Sequence, residues 1–217
     1  MLLAWDRIKT VMLDMDGTLL DLHYDNYFWR EYVPAQYAVK NNIDVEQARQ
    51  QIFPVFQAAE GSIDWYCVDY WSAQLHLDIE ALKTNIKDRI RVFEHVEVFL
   101  EWIINSGKRL MLVTNAHHKS LELKLTQTGI GDYFHDIICS HTYRIPKENV
   151  TFWHRLQQDS PFDPKETLLI DDSLPVLLSA REYGISHLLA VHRPDSQQPA
   201  KDTQGFLAVK SFQQLMQ

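Results

Sequence analysis

The chain has 217 residues, of which 46% are hydrophobic and 23% are charged. This is enough apolar material for the core of one large domain, or of a domain with a smaller insertion. Lysine and arginine number 21 against 29 aspartate and glutamate residues, which gives a formal net charge of −8. The acidic balance argues against a nucleic-acid polymer or an anionic membrane as partner. Two cysteines, Cys67 and Cys139, are too few and too far apart to predict a disulfide framework or a metal site.

The apolar runs are shorter than the roughly 20 residues that a membrane-spanning helix needs. Met1 to Asp6 leads directly into the first apolar run, without the pattern of a signal peptide. We therefore expect a cytoplasmic protein, a monomer or weak homodimer, whose partner is a small molecule. An anionic small molecule is compatible with the acidic chain if a metal ion and a few cations concentrate positive charge locally.

The first predicted element is a buried strand, Val11 to Leu13, which is followed by a long block of helical periodicity. The helices predicted in this block are Asp25–Asn41 with a kink or break at Pro34, Asp44–Glu60, Ile63–Leu77 and Asp78–Arg91. The block is too long for an ordinary crossover between two strands. We predict that residues 22–90 form an all-helical cap domain inserted into the core.

Strands and helices alternate in the remainder of the chain. The predicted strands are Leu110–Val113, Ile137–Cys139, Thr167–Ile170 and Ser186–Val191, with Phe206–Val209 as a short edge element. The predicted helices are Glu97–Ser106, Ser120–Thr128, Asn149–Gln158 and Leu174–Tyr183. This alternation predicts an α/β fold with a doubly wound parallel sheet, built from residues 1–21 and 91–217. In such a fold the ligand site lies at the carboxyl ends of the strands.

Two carboxylates follow the first strand directly, in the sequence L-D-M-D-G-T at residues 13–18. Asp14 and Asp16 are one residue apart and therefore point to the same side of an extended chain. Gly17 then allows the chain to turn sharply. Two carboxylates this close repel each other unless a cation or a shared proton relieves them, and oxygen ligands suit Mg²⁺. The alternative is an ordinary turn, in which Asp and Gly are common.

Further polar side chains follow the later strands. Thr114 and Asn115 can donate hydrogen bonds to a phosphoryl oxygen, although a Thr-Asn pair after a strand is also typical of a helix cap. Asp171 and Asp172 can complete a metal site, or they can cap the next helix. Lys147 can supply the cation that an acidic site needs, although a single loop lysine is more commonly solvated. All of these positions are expected at one edge of the sheet.

These segments together resemble the four motifs of the haloacid dehalogenase superfamily of phosphatases. The resemblance implies a Rossmann-like core and a phosphoryl transfer in which Asp14 is the nucleophile and Asp16 is the general acid and base. It also implies that Thr114 and Lys147 stabilise the charge on the transferring phosphoryl group. The other residues expected to bind the substrate around the phosphoryl group are Gly17, Thr18 and Asn115. The dehalogenase branch lacks the second aspartate, so its presence favours phosphoryl transfer.

The same resemblance implies a set of ligands for Mg²⁺. Asp14, the backbone carbonyl of Asp16 and Asp172 are expected to bind the ion directly. Asp171 is expected to act through water or at longer range.

Aromatic residues are unusually dense in the predicted helical insertion. Those singled out as substrate-binding candidates are Trp65, Tyr66, Tyr70 and Trp71. At ~100° per residue these four spread over roughly 240° of a helix, more than one buried stripe occupies. The stretches D-W-Y-C-V-D-Y-W-S and D-N-Y-F-W are similar to those of nucleotidases of this superfamily that act on the purine nucleotides GMP and IMP.

The predicted function is therefore Mg²⁺-dependent hydrolysis of nucleoside 5′-monophosphates. In this interpretation one or two of the aromatic rings stack on the base; the alternative is that all of them pack inside the insertion. Two other functions remain open. One is a sugar-phosphate phosphatase or phosphomutase of the same superfamily, and the other is a non-catalytic binding protein on the same scaffold.

Overall fold

The computed structural model describes residues 3–216. Its strands are β1 (Thr10–Leu13), β2 (Arg109–Thr114), β3 (Asp136–Cys139), β4 (Thr167–Asp171), β5 (His187–Val191) and β6 (Ala208–Val209). All neighbouring strands pair in parallel, in the spatial order β3-β2-β1-β4-β5-β6. This is the strand order of a Rossmann-type doubly wound sheet. The predicted fold class is confirmed, and the predicted edge element is β6.

Nine α-helices accompany the sheet in the described residues. They are α1 (His23–Tyr27), α2 (Val33–Asn41), α3 (Val45–Ala59), α4 (Val68–Leu75), α5 (Ile79–Asn85), α6 (Val96–Asn105), α7 (His118–Thr128), α8 (Val150–Asp159) and α9 (Leu174–Tyr183). None of the helices in the described part of the chain is both long and apolar enough to cross a membrane.

The central strand β1 is buried on both faces, as its unbroken apolar sequence predicts. Val11 and Leu13 contribute to a hydrophobic core that also contains α6 residues such as Phe99. Met12 points to the opposite face, into a second core that α8 and α9 complete with residues such as Trp153. The period-two alternation of the strand therefore places one core on each side of the sheet.

Helices α1 to α5 lie between β1 and β2 in the chain. Within this segment, α2 to α5 and the residues that join α1 to α2 share a third hydrophobic cluster, formed by residues such as Phe28, Ile52, Phe56 and Trp71, which is separate from the two clusters on the sheet. We refer to this segment below as the helical insertion. Its proposed extent as a domain, residues 22–90, stays a prediction.

Three predicted helices of the insertion differ from the structure. The predicted helix Asp78–Arg91 ends at Asn85 as α5, and a separate 3₁₀ turn, Lys87–Arg89, follows it. A single π-helical turn, Phe28–Tyr32, joins α1 to α2 directly before Pro34, so the helix widens where proline lacks an N–H donor instead of breaking. The predicted helix Ile63–Leu77 is divided into a 3₁₀ turn, Ile63–Tyr66, and α4. The division falls at Cys67, which is extended and whose sulfur accepts the Tyr70 N–H at 3.4 Å.

Candidate active site

The ends of β1, β2 and β4 converge on one cavity of about 340 Å³. Its lining includes the predicted catalytic and metal-binding residues Asp14, Asp16, Thr114, Asn115, Lys147, Asp171 and Asp172. The helical insertion contributes much of the remaining wall, including five aromatic rings and two charged side chains. The structure therefore brings the strand-end residues together, as parallel strands with aligned carboxyl ends require.

Lys147 lies at the centre of the acidic groups. Its ammonium group donates to Asp14 Oδ1 at 2.6 Å, to Asp171 Oδ2 at 2.7 Å and to the Val113 carbonyl at 2.9 Å. Burial lowers the pKa of a lysine, but the two carboxylates outweigh it and raise the pKa of Lys147 above its ordinary value. The lysine is therefore a fixed cation within the site, and the alternative of a solvated loop lysine does not apply.

Of the two carboxylate oxygens of Asp14, one accepts a hydrogen bond and the other does not. Oδ1 accepts from Lys147, whereas Oδ2 is buried and has no hydrogen-bond partner within residues 3–216. Burial raises the pKa of Asp14 to about 6, against the opposing attraction of Lys147. An unpaired buried carboxylate oxygen is costly, so this atom is positioned for a ligand.

The carboxylates of Asp14, Asp171 and Asp172 fit a hard divalent cation. One oxygen from each lies within 4.8 Å of the others. Asp171 already accepts from Lys147 and from the Ser173 N–H at 2.9 Å. Burial and the charges of Asp14 and Asp171 raise the pKa of Asp172 well above its usual range. A cation among these carboxylates would relieve that repulsion, so the donor set and the charge both match Mg²⁺.

Gly17 has a steric role at this position. Its φ of +83° favours glycine, and a Cβ there would lie 2.7 Å from the Asp172 carboxyl carbon. Its N–H already donates to the Leu20 carbonyl at 2.7 Å. Thr18 is fully buried, its hydroxyl oxygen has no partner among the described residues, and it does not line the cavity. Substrate binding by Gly17 and Thr18 stays a prediction.

Thr114 and Asn115, the two polar residues at the end of β2, differ in which hydrogen-bonding groups remain available to a ligand. Thr114 Oγ1 accepts the Ala116 N–H at 3.0 Å, so the hydroxyl proton is available to the cavity. The Asn115 side chain accepts the Lys147 N–H at 3.0 Å and donates to Glu148 at 2.8 Å. Asn115 thus fixes the segment that carries Lys147, and a direct contact between Asn115 and substrate stays a prediction.

A second buried cation, Lys124 of α7, contacts Asp16 and was not among the predicted residues. Its ammonium group lies 2.6 Å from Asp16 Oδ1 and 2.6 Å from Asp25 Oδ2. Lys83 of the insertion contacts the other oxygen of Asp25 at 3.0 Å. Burial raises the pKa of Asp16 to about 6, with Lys124 opposing the shift. Successive ion pairs through Lys124 and Asp25 thus connect Asp16 to Lys83 of the insertion.

The aromatic candidates take different positions around the cavity. Trp65, Tyr66 and Trp71 line it, whereas Tyr70 does not and packs edge-on against Trp71 at 4.9 Å between ring centroids. Trp71 is buried and its indole donates to the Trp65 carbonyl at 2.8 Å. Tyr66 donates its hydroxyl hydrogen bond to Glu148 on the sheet side. Their contacts with a substrate stay predictions.

Two further rings of the cavity wall, Trp29 and Phe56, were not among the predicted site residues. Each belongs to the aromatic cluster around Trp71, with centroids 5.9 Å and 4.8 Å from it. The stretch D-N-Y-F-W did signal an aromatic group near Trp29, but it did not indicate which ring faces the cavity.

Comparisons with known proteins agree with this geometry. The sequence profile of the haloacid dehalogenase-like hydrolases matches residues 11–190. The GMP/IMP nucleotidase YrfG of Escherichia coli strain K12 is 38% identical over 214 residues, which cover 99% of this chain and 96% of that protein. Phosphoglycolate phosphatase of Pseudomonas fluorescens strain Pf0-1 is 26% identical over 193 residues, covering 82% of this chain and 67% of that protein.

A solved structure of similar shape is the HAD phosphatase from Thermococcus onnurineus. Its TM-score is 0.78 at 23% sequence identity, and the match covers 96% of both chains. This likeness supports the fold. The profile match spans most of the sequence, and the Escherichia coli relative matches nearly all of it. The chain therefore belongs to the haloacid dehalogenase-like hydrolases, and the predicted enzyme class, a phosphatase, is confirmed.

Proposed function

We propose that this phosphatase hydrolyses nucleoside 5′-monophosphates in a Mg²⁺-dependent reaction, with purine nucleotides such as GMP and IMP as its preferred substrates. The observation that carries the proposal is Asp14. One of its oxygens is held by Lys147, and the other is buried without a partner in the described chain, in a cavity that Asp16 also lines. This arrangement suits a nucleophile beside a general acid.

The metal would be held by Asp14, Asp172 and the backbone carbonyl of Asp16, with Asp171 at longer range. Asp171 is the weaker candidate for direct binding because both of its oxygens already accept hydrogen bonds. When bound, the ion would neutralise negative charge on the phosphoryl oxygens and help to orient the phosphate for attack by Asp14.

Phosphoryl transfer proceeds in two displacements at phosphorus. Asp14 is the nucleophile in the first and the leaving group in the second. The Asp14 carboxylate forms a bond to phosphorus while the bond from phosphorus to the ester oxygen breaks, and Asp16 gives its proton to the departing alkoxide. Asp16, now a carboxylate, then takes a proton from water as the water oxygen attacks phosphorus. The second displacement releases phosphate and regenerates Asp14. Lys147 and the Thr114 hydroxyl stabilise the charge on the phosphoryl oxygens in both displacements.

Lys147 also keeps the nucleophile in position. Because its ammonium group bridges Asp14 and Asp171, it fixes Asp14 Oδ1 and leaves Oδ2 as the attacking atom. Asn115 and Glu148 support the segment that carries this lysine. The nucleophile is thus oriented before the substrate arrives, which lowers the entropic cost of the attack.

The preference for a nucleotide rests on the wall contributed by the insertion. Five rings, those of Trp29, Phe56, Trp65, Tyr66 and Trp71, line the same cavity as the carboxylates. Aromatic faces suit a planar base, whereas a polyol is bound mainly through hydrogen bonds. The relative from Escherichia coli that carries the name GMP/IMP nucleotidase matches across the insertion as well as the core.

A panel of phosphate monoesters tests the proposal. It should contain GMP, IMP, AMP, pyrimidine nucleotides, phosphoglycolate, sugar phosphates and p-nitrophenyl phosphate, each assayed with Mg²⁺ and with a chelator. We expect the purine monophosphates to have the highest kcat/KM and all turnover to stop with the chelator and return with Mg²⁺.

The Asp14→Asn protein, purified identically, provides the background control. A preference for sugar phosphates or phosphoglycolate would overturn the substrate assignment and leave the mechanism standing. Turnover retained by Asp14→Asn, or release of phosphate that does not depend on metal, would overturn the mechanism.

A further inference from the structure

The described residues contain a second group of metal-ligating side chains, distinct from the carboxylates, although its His117 also lines the cavity of the candidate active site. Cys67, His117 and His141 each offer one ligand atom, and these atoms lie within 4.8 Å of one another. They come from three segments that are far apart in the sequence. Cys67 precedes α4 in the insertion, His117 precedes α7, and His141 follows β3. The cluster therefore lies where the insertion meets two loops at the edge of the sheet.

The nitrogen atoms that face this cluster are free to bind. His117 Nδ1 accepts the Lys119 N–H at 3.4 Å, which leaves Nε2 as its ligand atom. His141 Nε2 is buried and has no hydrogen-bond partner within residues 3–216. Leaving a buried nitrogen without a hydrogen-bond partner is unfavourable, and a metal ion bound to this nitrogen would remove that cost.

The two histidine rings are close enough to bind one ion together. The rings of His117 and His141 stand edge to face with centroids 4.9 Å apart. A neutral imidazole binds a metal ion through the lone pair of one nitrogen, and each ring offers one nitrogen to this cluster.

Charged groups around the cluster also favour a cation. Asp69 Oδ2 lies 3.7 Å from His117 Nε2, and the other Asp69 oxygen contacts the Lys119 ammonium group at 2.9 Å. The carboxylate thus adds negative charge beside the ligand atoms, while Lys119 is held on its far oxygen.

We propose that Cys67, His117 and His141 form a zinc site that fastens the helical insertion to the edge of the sheet, with water in the fourth position. One thiolate and two imidazoles are a ligand set for Zn²⁺, whereas the carboxylates around Asp14 suit Mg²⁺. A tetrahedral zinc needs ligand atoms about 3.5 Å apart, given bonds of about 2.0–2.3 Å. The ligand atoms lie within 4.8 Å of one another, so side-chain rotations that move them by at most about 1 Å bring them to this spacing.

Cobalt titration tests the site directly, because a Co²⁺–thiolate bond absorbs in the near ultraviolet. Metal-free protein is kept in excess Mg²⁺ and titrated with Co²⁺. We expect the charge-transfer band to saturate at one equivalent and to disappear when one equivalent of Zn²⁺ is added. Cys67→Ser should abolish the band, and His141→Gln should weaken Co²⁺ binding at least about 100-fold.

The sequence offers a matched control, since its other cysteine is Cys139. Cys139→Ser should keep the band, as should Asp172→Asn, which separates this site from the carboxylate site. Circular dichroism checks that each variant is folded, and His141→Gln replaces Cys67→Ser if that variant is not. The proposal is wrong if the folded parent protein gives no band, or if the band follows Cys139.

The functional consequence rests on the proposed function. If product release requires the insertion to move away from the sheet, Zn²⁺ at this site slows turnover at saturating Mg²⁺. We expect Zn²⁺ to inhibit the parent protein and Cys139→Ser but not Cys67→Ser. Inhibition that Cys67→Ser retains would overturn this consequence. A protein without phosphatase activity would overturn the proposed function, while the cobalt spectrum would still decide the zinc site.

Discussion

Replacement of Lys124 by methionine tests whether this lysine positions the general acid. Its ammonium group bridges Asp16 Oδ1 and Asp25 Oδ2, both at 2.6 Å, and it is completely buried in α7. Methionine preserves most of the length of the side chain but removes the charge. Asp25 keeps its contact with Lys83, whereas the Asp16 carboxylate keeps no ion pair among residues 3–216. The loss of the ammonium group should therefore affect Asp16 more than Asp25.

The size of the effect follows from the contact that is removed. A hydrogen bond to a charged group contributes about 1.5–3 kcal/mol, which corresponds to about 10–150-fold in rate at 1.36 kcal/mol per tenfold. General acid catalysis is itself worth about 10²–10⁴-fold, so this loss is within its range. For a nucleoside monophosphate, whose leaving alkoxide needs a proton, we expect kcat/KM to fall about 100-fold.

The assay compares two leaving groups. The nitrophenolate of p-nitrophenyl phosphate departs without a proton, so its kcat/KM should fall less than about fivefold in Lys124→Met. The ratio kcat/KM reports the steps up to formation of the aspartyl-phosphate, and it excludes the later hydrolysis that both substrates share. Lys119→Met is the matched control, because Lys119 lies on the same helix but is exposed.

Two results would refute the reasoning. Equal losses for both esters would show that Lys124 supports the site as a whole, and not the proton transfer. An unchanged kcat/KM for the nucleotide in a folded Lys124→Met protein would show that Asp16 does not depend on this lysine.

Three other substitutions have expected outcomes. Gly17→Ala should destabilise the protein by more than about 1 kcal/mol in urea unfolding and raise the Mg²⁺ concentration needed for half-maximal activity, because the new Cβ overlaps Asp172; an unchanged Mg²⁺ requirement would argue against Asp172 as a ligand. Thr114→Ala should lower kcat about 100-fold while Thr114→Ser restores most of it, and equal rates for the two variants would remove the hydroxyl from the mechanism. Trp65→Ala should raise KM for GMP about tenfold or more and leave KM for p-nitrophenyl phosphate nearly unchanged; equal shifts would assign Trp65 a structural role.

The strands were predictable because their apolar runs are short and are bounded by turn residues. β1 differs from its predicted range by one residue, and β4 extends by one residue to include Asp171. The division of the helix at Cys67 could not be predicted from periodicity, which continues through it. It depends on the Tyr70 N–H bond to the sulfur and on the bond from the Trp71 indole to the Trp65 carbonyl. Such contacts depend on tertiary packing.

The residues of the candidate site also divide into those that the sequence predicts and those that it does not. Those that follow strands were predictable, because the carboxyl ends of parallel strands meet at one edge. Lys124, Asp25 and Lys83 were missed, since a charged residue within a helix is ordinarily solvated. One signal was present for Lys124: it lies three residues after Leu121, on the same side of α7, and Leu121 is buried. The sequence alone does not show that Lys124 faces an acidic cavity.

The arrangement of buried lysines explains why, within the carboxylate site, a cation is expected beside Asp172. Lys147 bridges Asp14 and Asp171, and Lys124 bridges Asp16 and Asp25. In the described chain no ammonium group forms an ion pair with the Asp172 carboxylate.

Lys201 reaches only the backbone carbonyl of Asp172, at 2.9 Å. Asp172 is thus the carboxylate of the site that the protein leaves without an ion pair. A divalent cation beside it would complete the charge balance of a site whose other carboxylates are already paired. Because Lys147 holds Asp14 Oδ1, Asp14 Oδ2 is the oxygen left to attack a phosphoryl group.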